Sequence, residues 1–131
     1  MKDCKFTFHH IGIACEDIKK CRDFIKRFMD VKEESDVIFD ENQKAEVCLL
    51  SLQDGTSLEL ISGEMVEGLV RKGTYLYHTT YTVENMKRCI RALKKQPGLV
   101  IISEPKPAKL FNGKLVAFFS TPIGIIELLE K

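Results

Sequence analysis

Gly124-Ile125-Ile126-Glu127-Leu128-Leu129 is an apolar run with one carboxylate at its middle. By itself such a run reads as a strand on a half-buried sheet, with its Glu turned to solvent. A second stretch alters that reading. Leu58-Glu59-Leu60-Ile61 has the same pattern, and Glu127 stands 68 positions after Glu59. Two histidines precede apolar strand residues, His10 in FHHIGIA and His78 in YHTTYTV, and they too stand 68 positions apart. One offset for both pairs points to a duplicated unit that delivers His10, Glu59, His78 and Glu127 to one place.

The duplication extends along the chain. Residues 10–26 laid without gaps on 78–94 give the identities His10/His78, Glu16/Glu84, Lys19/Lys87, Cys21/Cys89 and Lys26/Lys94. Shared amphipathic patterning accounts for matches on a helix face, but burying an apolar stripe requires neither a His nor a Glu. The symmetry is imperfect, because Gly55 and Gly124, ahead of the two Glu-bearing strands, are out of step by one.

Working outward, residues 5–14 read as a strand. Asp17 starts a helix that ends near Asp30, with Ile18, Cys21, Ile25, Phe28 and Met29 on its apolar stripe. Residues 35–39 and 45–52 read as strands, and Asp54-Gly55 as the hairpin turn into a strand at 57–62. Residues 63–73 are a connector with at most a short helical turn. The pattern then restarts: a strand at 75–83, a helix capped by Glu84 or Asn85 and ended by Pro97-Gly98, and strands at 99–103, near 108–111, at 114–121 and at 124–129. The expected fold is α+β: two tandem βαβββ modules, 5–62 and 74–131, in one domain spanning 1–131. Their strands would form a curved eight-stranded mixed sheet with a metal site in its concave face.

The chain has 131 residues, a length that suits one domain able to bury about two thirds of its unfolded surface. Its net charge of +1 gives no field that favours nucleic acid or a membrane surface. No run approaches the roughly eighteen apolar residues of a membrane span, and MKDCKFTF at the N-terminus lacks the apolar stretch of a secretory leader. The five cysteines are odd in number and contain no C-x-x-C pair, which reads as reduced, mostly buried thiols in a cytoplasmic protein.

Two imidazoles and two carboxylates suit one divalent first-row ion; cobalt, nickel, manganese and zinc all fit. The two negative charges offset the +2 of the ion and so reduce the cost of burying them. Four protein ligands on a six-coordinate ion leave two positions for waters or for neighbouring substrate oxygens. His9 alternates with His10 along the strand and points the other way. Phe118 and Phe119 likewise face opposite sides. Lys94, Lys95, Lys109 and Lys114 read as a solvated basic face.

HIGIA at 10–14, LELI at 58–61, YHTTYTVENM at 77–86 and KLVAFFSTPIGIIELLE at 114–130 together resemble the vicinal oxygen chelate superfamily of glyoxalases, bleomycin resistance proteins and dioxygenases. Within it they are most similar to the branch of methylmalonyl-CoA epimerase and glyoxalase I-like proteins. The resemblance places the family's metal ligands on His10, Glu59, His78 and Glu127, and gives Glu127, with Glu59, a second role as proton-transferring base. It implies an isomerase, epimerase or lyase acting at a carbon next to a carbonyl or thioester, on an acyl-CoA or a glutathione adduct, in a homodimer. The chain departs from the epimerase pattern at one place: Asn42 stands where that enzyme has a second Glu, with Glu41 and Glu46 as possible substitutes. Two further readings stay open. One is a non-catalytic small-molecule-binding or antibiotic-resistance protein. The other is a ring-cleaving dioxygenase with two His and one carboxylate on iron(II).

Overall fold

A computed structural model describes residues 4–131; Met1, Lys2 and Asp3, the start of the stretch read above for a leader, lie outside the described residues. The elements follow in chain order as β1 (Thr7–Ala14), α1 (Ile18–Lys26), β2 (Val31–Glu34), β3 (Ile38–Asp40), β4 (Ala45–Leu52), β5 (Ser57–Ser62) and α2 (Glu64–Arg71). They continue as β6 (Leu76–Val83), α3 (Met86–Leu93), β7 (Val100–Ala108), a 3-10 turn at Lys109–Phe111, β8 (Lys114–Thr121) and β9 (Gly124–Glu130). The α+β class with mixed strand pairing is as expected. The strand count among the described residues is nine, not eight.

Helices α1 and α3 start where the sequence places them. The Asp17 carboxylate accepts the Lys20 backbone N–H at 3.1 Å, and the Asn85 side chain accepts that of Arg88 at 3.0 Å. Each satisfies a donor that the first turn of a helix leaves open. The two caps stand 68 positions apart, as do the two histidines.

The described residues group into two compact units. One is His10–Tyr77; the other joins the described residues up to His9 with His78–Lys131. In the first, the strand order is β2-β4-β5-β1, with β3 also on β4. Its β1 and β5 are parallel and its other pairs antiparallel. Cys15, Ile18, Ile25, Cys48, Leu50 and Leu60 form its core beneath α1. In the second, the order is β6-β9-β8-β7, again with one parallel pair, β6 and β9. Its core gathers Val83, Met86, Cys89, Ile90, Phe119 and Leu128 beneath α3.

The departures from expectation have local causes. Of the strand expected at 35–39 only the end is strand, in β3, and β2 precedes that stretch; both lie on β4. Between them Ser35 turns its hydroxyl to accept the Leu49 N–H at 2.8 Å. Val31-Lys32-Glu33-Glu34 carries too much charge to read as a strand, yet it is an edge strand, where charge is common. The strand expected near 108–111 is instead the 3-10 turn, and β7 runs through Pro105 and Pro107 to Ala108. Proline is tolerated there because β7 has a neighbour on one side only. The reversal into β8 uses Asn112 and Gly113 at φ 57° and 81°, a left-handed pair suited to those two residue types. The connector holds a full helix, α2, with Val66 buried. Helix α1 stops at Lys26, so Phe28 and Met29 fall beyond it and stay exposed, Phe28 edge-on to Phe24 at 5.0 Å.

The cysteines also differ from expectation. Cys4 and Cys89 are joined by a disulfide, whereas Cys15, Cys21 and Cys48 are free. Such bonds persist mainly in oxidising surroundings, so cysteine usage lends no support to the cytoplasmic placement expected above. Among the described residues no helix is long and apolar enough to cross a membrane.

Burial pushes the Cys15 and Cys48 thiols above their ordinary value of 9.0, which keeps them protonated and poorly nucleophilic at neutral pH. A thiol reagent without reductant is therefore expected to find three thiols in the denatured chain and, in the native protein, to react first with half-buried Cys21; peptide mapping identifies both. Leu60 is fully buried in the first core, and Leu60→Ala is expected to lower stability by about 2–5 kcal/mol in a denaturant titration.

Candidate metal centre

The first pair of candidate ligands lies in the unit His10–Tyr77. The parallel register of β1 and β5 sets Gly12 beside Glu59 and His10 beside Ser57. Because successive side chains alternate, His10 and Glu59 emerge on one face of the sheet. Nε2 of His10 lies 3.2 Å from Oε1 of Glu59, and the two side chains are 0 % and 1 % exposed. On its other flank Glu59 has Leu49 of β4.

The second pair repeats this geometry in the other unit. β6 and β9 set Thr80 beside Glu127 and His78 beside Ile125, the register of β1 and β5 moved by 68 positions. Nε2 of His78 lies 3.3 Å from Oε1 of Glu127, and both side chains are buried. That oxygen also accepts the Thr80 hydroxyl at 2.7 Å. On its other flank Glu127 has Phe118 of β8, whose ring meets the His78 ring edge-on at 5.4 Å.

Of the predicted donors, then, His10 is brought to Glu59 and His78 to Glu127. Within each unit, a buried imidazole and a buried carboxylate thus meet, the donor types that a divalent ion takes. The donor chemistry fits: neutral imidazole nitrogen and carboxylate oxygen suit a divalent first-row ion, and two carboxylates match its charge. Burial also fits, since an ionised carboxylate kept from water needs a cation or strong donors beside it.

The other residues singled out by the sequence resolve as follows. His9 is half-buried, with its ring edge-on to Phe111 at 5.8 Å. Phe118 flanks Glu127, while Phe119 enters the core beneath α3. Lys94 is exposed and pairs with Glu104 at 3.2 Å, in keeping with a solvated face. Glu46 is exposed and pairs in register with Phe39 and Ser62, on the face away from Glu59. It cannot supply a second base beside Glu59. Asn42 lies in the turn after β3, its backbone N–H held by the Asp40 carboxylate at 2.9 Å.

Thr80 and Phe118 were not anticipated at the site. Register supplies the signal that finds them. Thr80 stands two residues after His78, where alternation puts it on the ligand face, and Phe118 is the antiparallel neighbour of Glu127.

Solved structures with this fold include a hypothetical protein from Bacillus halodurans C-125, at a TM-score of 0.74 and 22% identity, over 97% of this chain and 95% of that one. Methylmalonyl-CoA epimerase from Mycobacterium tuberculosis matches at 0.72 and 18%, over 94% and 86%. The Streptomyces coelicolor methylmalonyl-CoA epimerase in complex with 2-nitronate-propionyl-CoA matches at 0.72 and 18%, over 97% and 99%. At such identities the likeness shows the fold alone. No curated protein matches the sequence. A family profile aligns with residues 9–118, a span that holds His10, Glu59 and His78 and most of both units, and by that match the chain belongs to the Glyoxalase/Bleomycin resistance protein/Dioxygenase superfamily.

Proposed function

We propose that this protein is a divalent-metal-dependent isomerase or epimerase that moves a proton at the carbon next to a carbonyl or thioester. One observation carries the reading: each unit buries a histidine against a glutamate, His10 with Glu59 at 3.2 Å and His78 with Glu127 at 3.3 Å. We read the two units as a single domain built around those four side chains. A cation held there supplies Lewis acidity toward a carbonyl oxygen, which stabilises negative charge developing on it.

The chain's own residues account for the rest. Glu127 is the proposed base that takes the proton, as a carboxylate kept from water beside the His78 ring. Glu59 is the proposed second base. With Glu46 on the other face, a route that returns the proton to the opposite side of the carbon draws on Glu59 and Glu127 together. Phe118 forms an apolar wall next to Glu127 and excludes water from it.

The epimerase neighbours favour an acyl-CoA thioester as substrate. Lactoylglutathione lyase chemistry, on a hemithioacetal, is the nearest alternative, because it uses the same carboxylate proton transfer. A drug-binding protein without catalysis is the alternative of another class. The presence of two carboxylates, each buried beside a histidine, favours an enzyme over that reading, and proton transfer over an iron dioxygenase with one carboxylate.

Protein purified without chelator is expected to carry about one divalent ion per chain by elemental analysis. His78→Ala and Glu127→Gln should both lower that occupancy or abolish activity. In deuterated water the metal-loaded protein should exchange the α-proton of a short acyl-CoA, with exchange lost in Glu127→Gln. Tight small-molecule binding unchanged by chelator, with no exchange, would favour the binding protein instead. Added cobalt(II) at about a hundredfold excess over its Kd should raise stability by about 2.7 kcal/mol, an increment absent in His78→Ala.

A further inference from the structure

We infer that Thr80 is a positioning residue, whose hydroxyl sets the orientation of Glu127 toward the cation. The inference rests on the metal reading given above and concerns a residue that reading does not use.

Thr80 is fully buried in β6. Its hydroxyl donates to Oε1 of Glu127 at 2.7 Å, the usual length of a well-formed O–H···O hydrogen bond. The same oxygen lies 3.3 Å from Nε2 of His78. A carboxylate held through one oxygen has lost free rotation about its last bond, so the direction of its second oxygen is set as well. Packing alone does not call for a threonine here. Valine has a similar shape and comparable strand preference, and it would bury no polar atom.

The duplicated unit provides an internal comparison. The position 68 residues earlier is Gly12, which lies beside Glu59 in the same parallel register. Glycine has no side chain, so that strand position contributes no hydroxyl. The His and the Glu of each half are the same, but the residue between them in space differs. The two halves therefore treat their carboxylates differently, and the hydroxyl at position 80 is specific to Glu127. Hydrogen-bond partners of metal ligands commonly govern affinity in this way.

Cobalt(II) alone is the probe, titrated calorimetrically into metal-free protein and followed by the visible absorption of the bound ion. Thr80→Val is expected to bind it about tenfold to hundredfold more weakly, with altered absorption bands. Thr80→Ser keeps the hydroxyl and is expected to restore both. Thr79→Val, on the alternate face of the same strand, should match the wild type. If Thr80→Val does not fold, Thr80→Ala takes its place, with Thr80→Ser still as the rescue. Wild-type affinity and an unchanged spectrum in Thr80→Val, or equal loss in Thr80→Ser, would overturn the inference and leave the metal reading standing. Failure of the wild type itself to bind cobalt(II) would remove both.

Discussion

The constraint on which the structure turns is the burial of two carboxylates. Glu59 and Glu127 are 1% and 2% exposed. An isolated ionised carboxylate held away from water costs as much as the whole stability of a domain, about 5–15 kcal/mol. Each therefore needs a partner fixed close by, and in each half that partner is a histidine on the adjoining parallel strand. Parallel neighbours require a long connection between them. Here the helix and the intervening strands of each half form that connection, and they also carry the apolar core on the opposite face. The topology and the polar cluster are thus two aspects of one arrangement.

Much of this was legible in the sequence because it depends on period and offset. The shared spacing of 68 gave both His–Glu pairs. Alternation assigned His10 and not His9 to the ligand face, and put Phe118 and Phe119 on opposite faces without saying which is core; the structure puts Phe119 there. Asp17, Asn85 and Asp54-Gly55 marked helix starts and a hairpin because their side chains or backbone geometry suit those places. What escaped was set by neighbours distant in sequence. Val31–Glu34 is polar and becomes a strand only because the end of β4 offers open hydrogen-bonding groups. Pro105 and Pro107 broke the sequence pattern but not the strand, since β7 is an edge. The pairing of Cys4 with Cys89 spans 85 positions, and no local spacing announces it.

The repeat is more faithful in backbone than in side chains. Register is copied at 57 and 125, at 59 and 127, and at both helix caps. The residues flanking the carboxylates are not copied: glycine and leucine flank Glu59, threonine and phenylalanine flank Glu127. Conserved register with divergent flanks allows the ligands of an ancestral half to persist while their surroundings specialise.

Strand β1 carries a consequence of its own. Its residues up to His9 group with His78–Lys131, whereas those from His10 onward group with the stretch ending at Tyr77. A scission at Gly73 would therefore not yield two self-sufficient halves, because the C-terminal fragment would lack a piece of backbone contributed by the N-terminal one. The Thr82 hydroxyl bond to the Thr7 carbonyl and the packing of Phe6 and Phe8 on Tyr81 would all be severed. The boundary between the compact units thus falls inside β1, not at the connector.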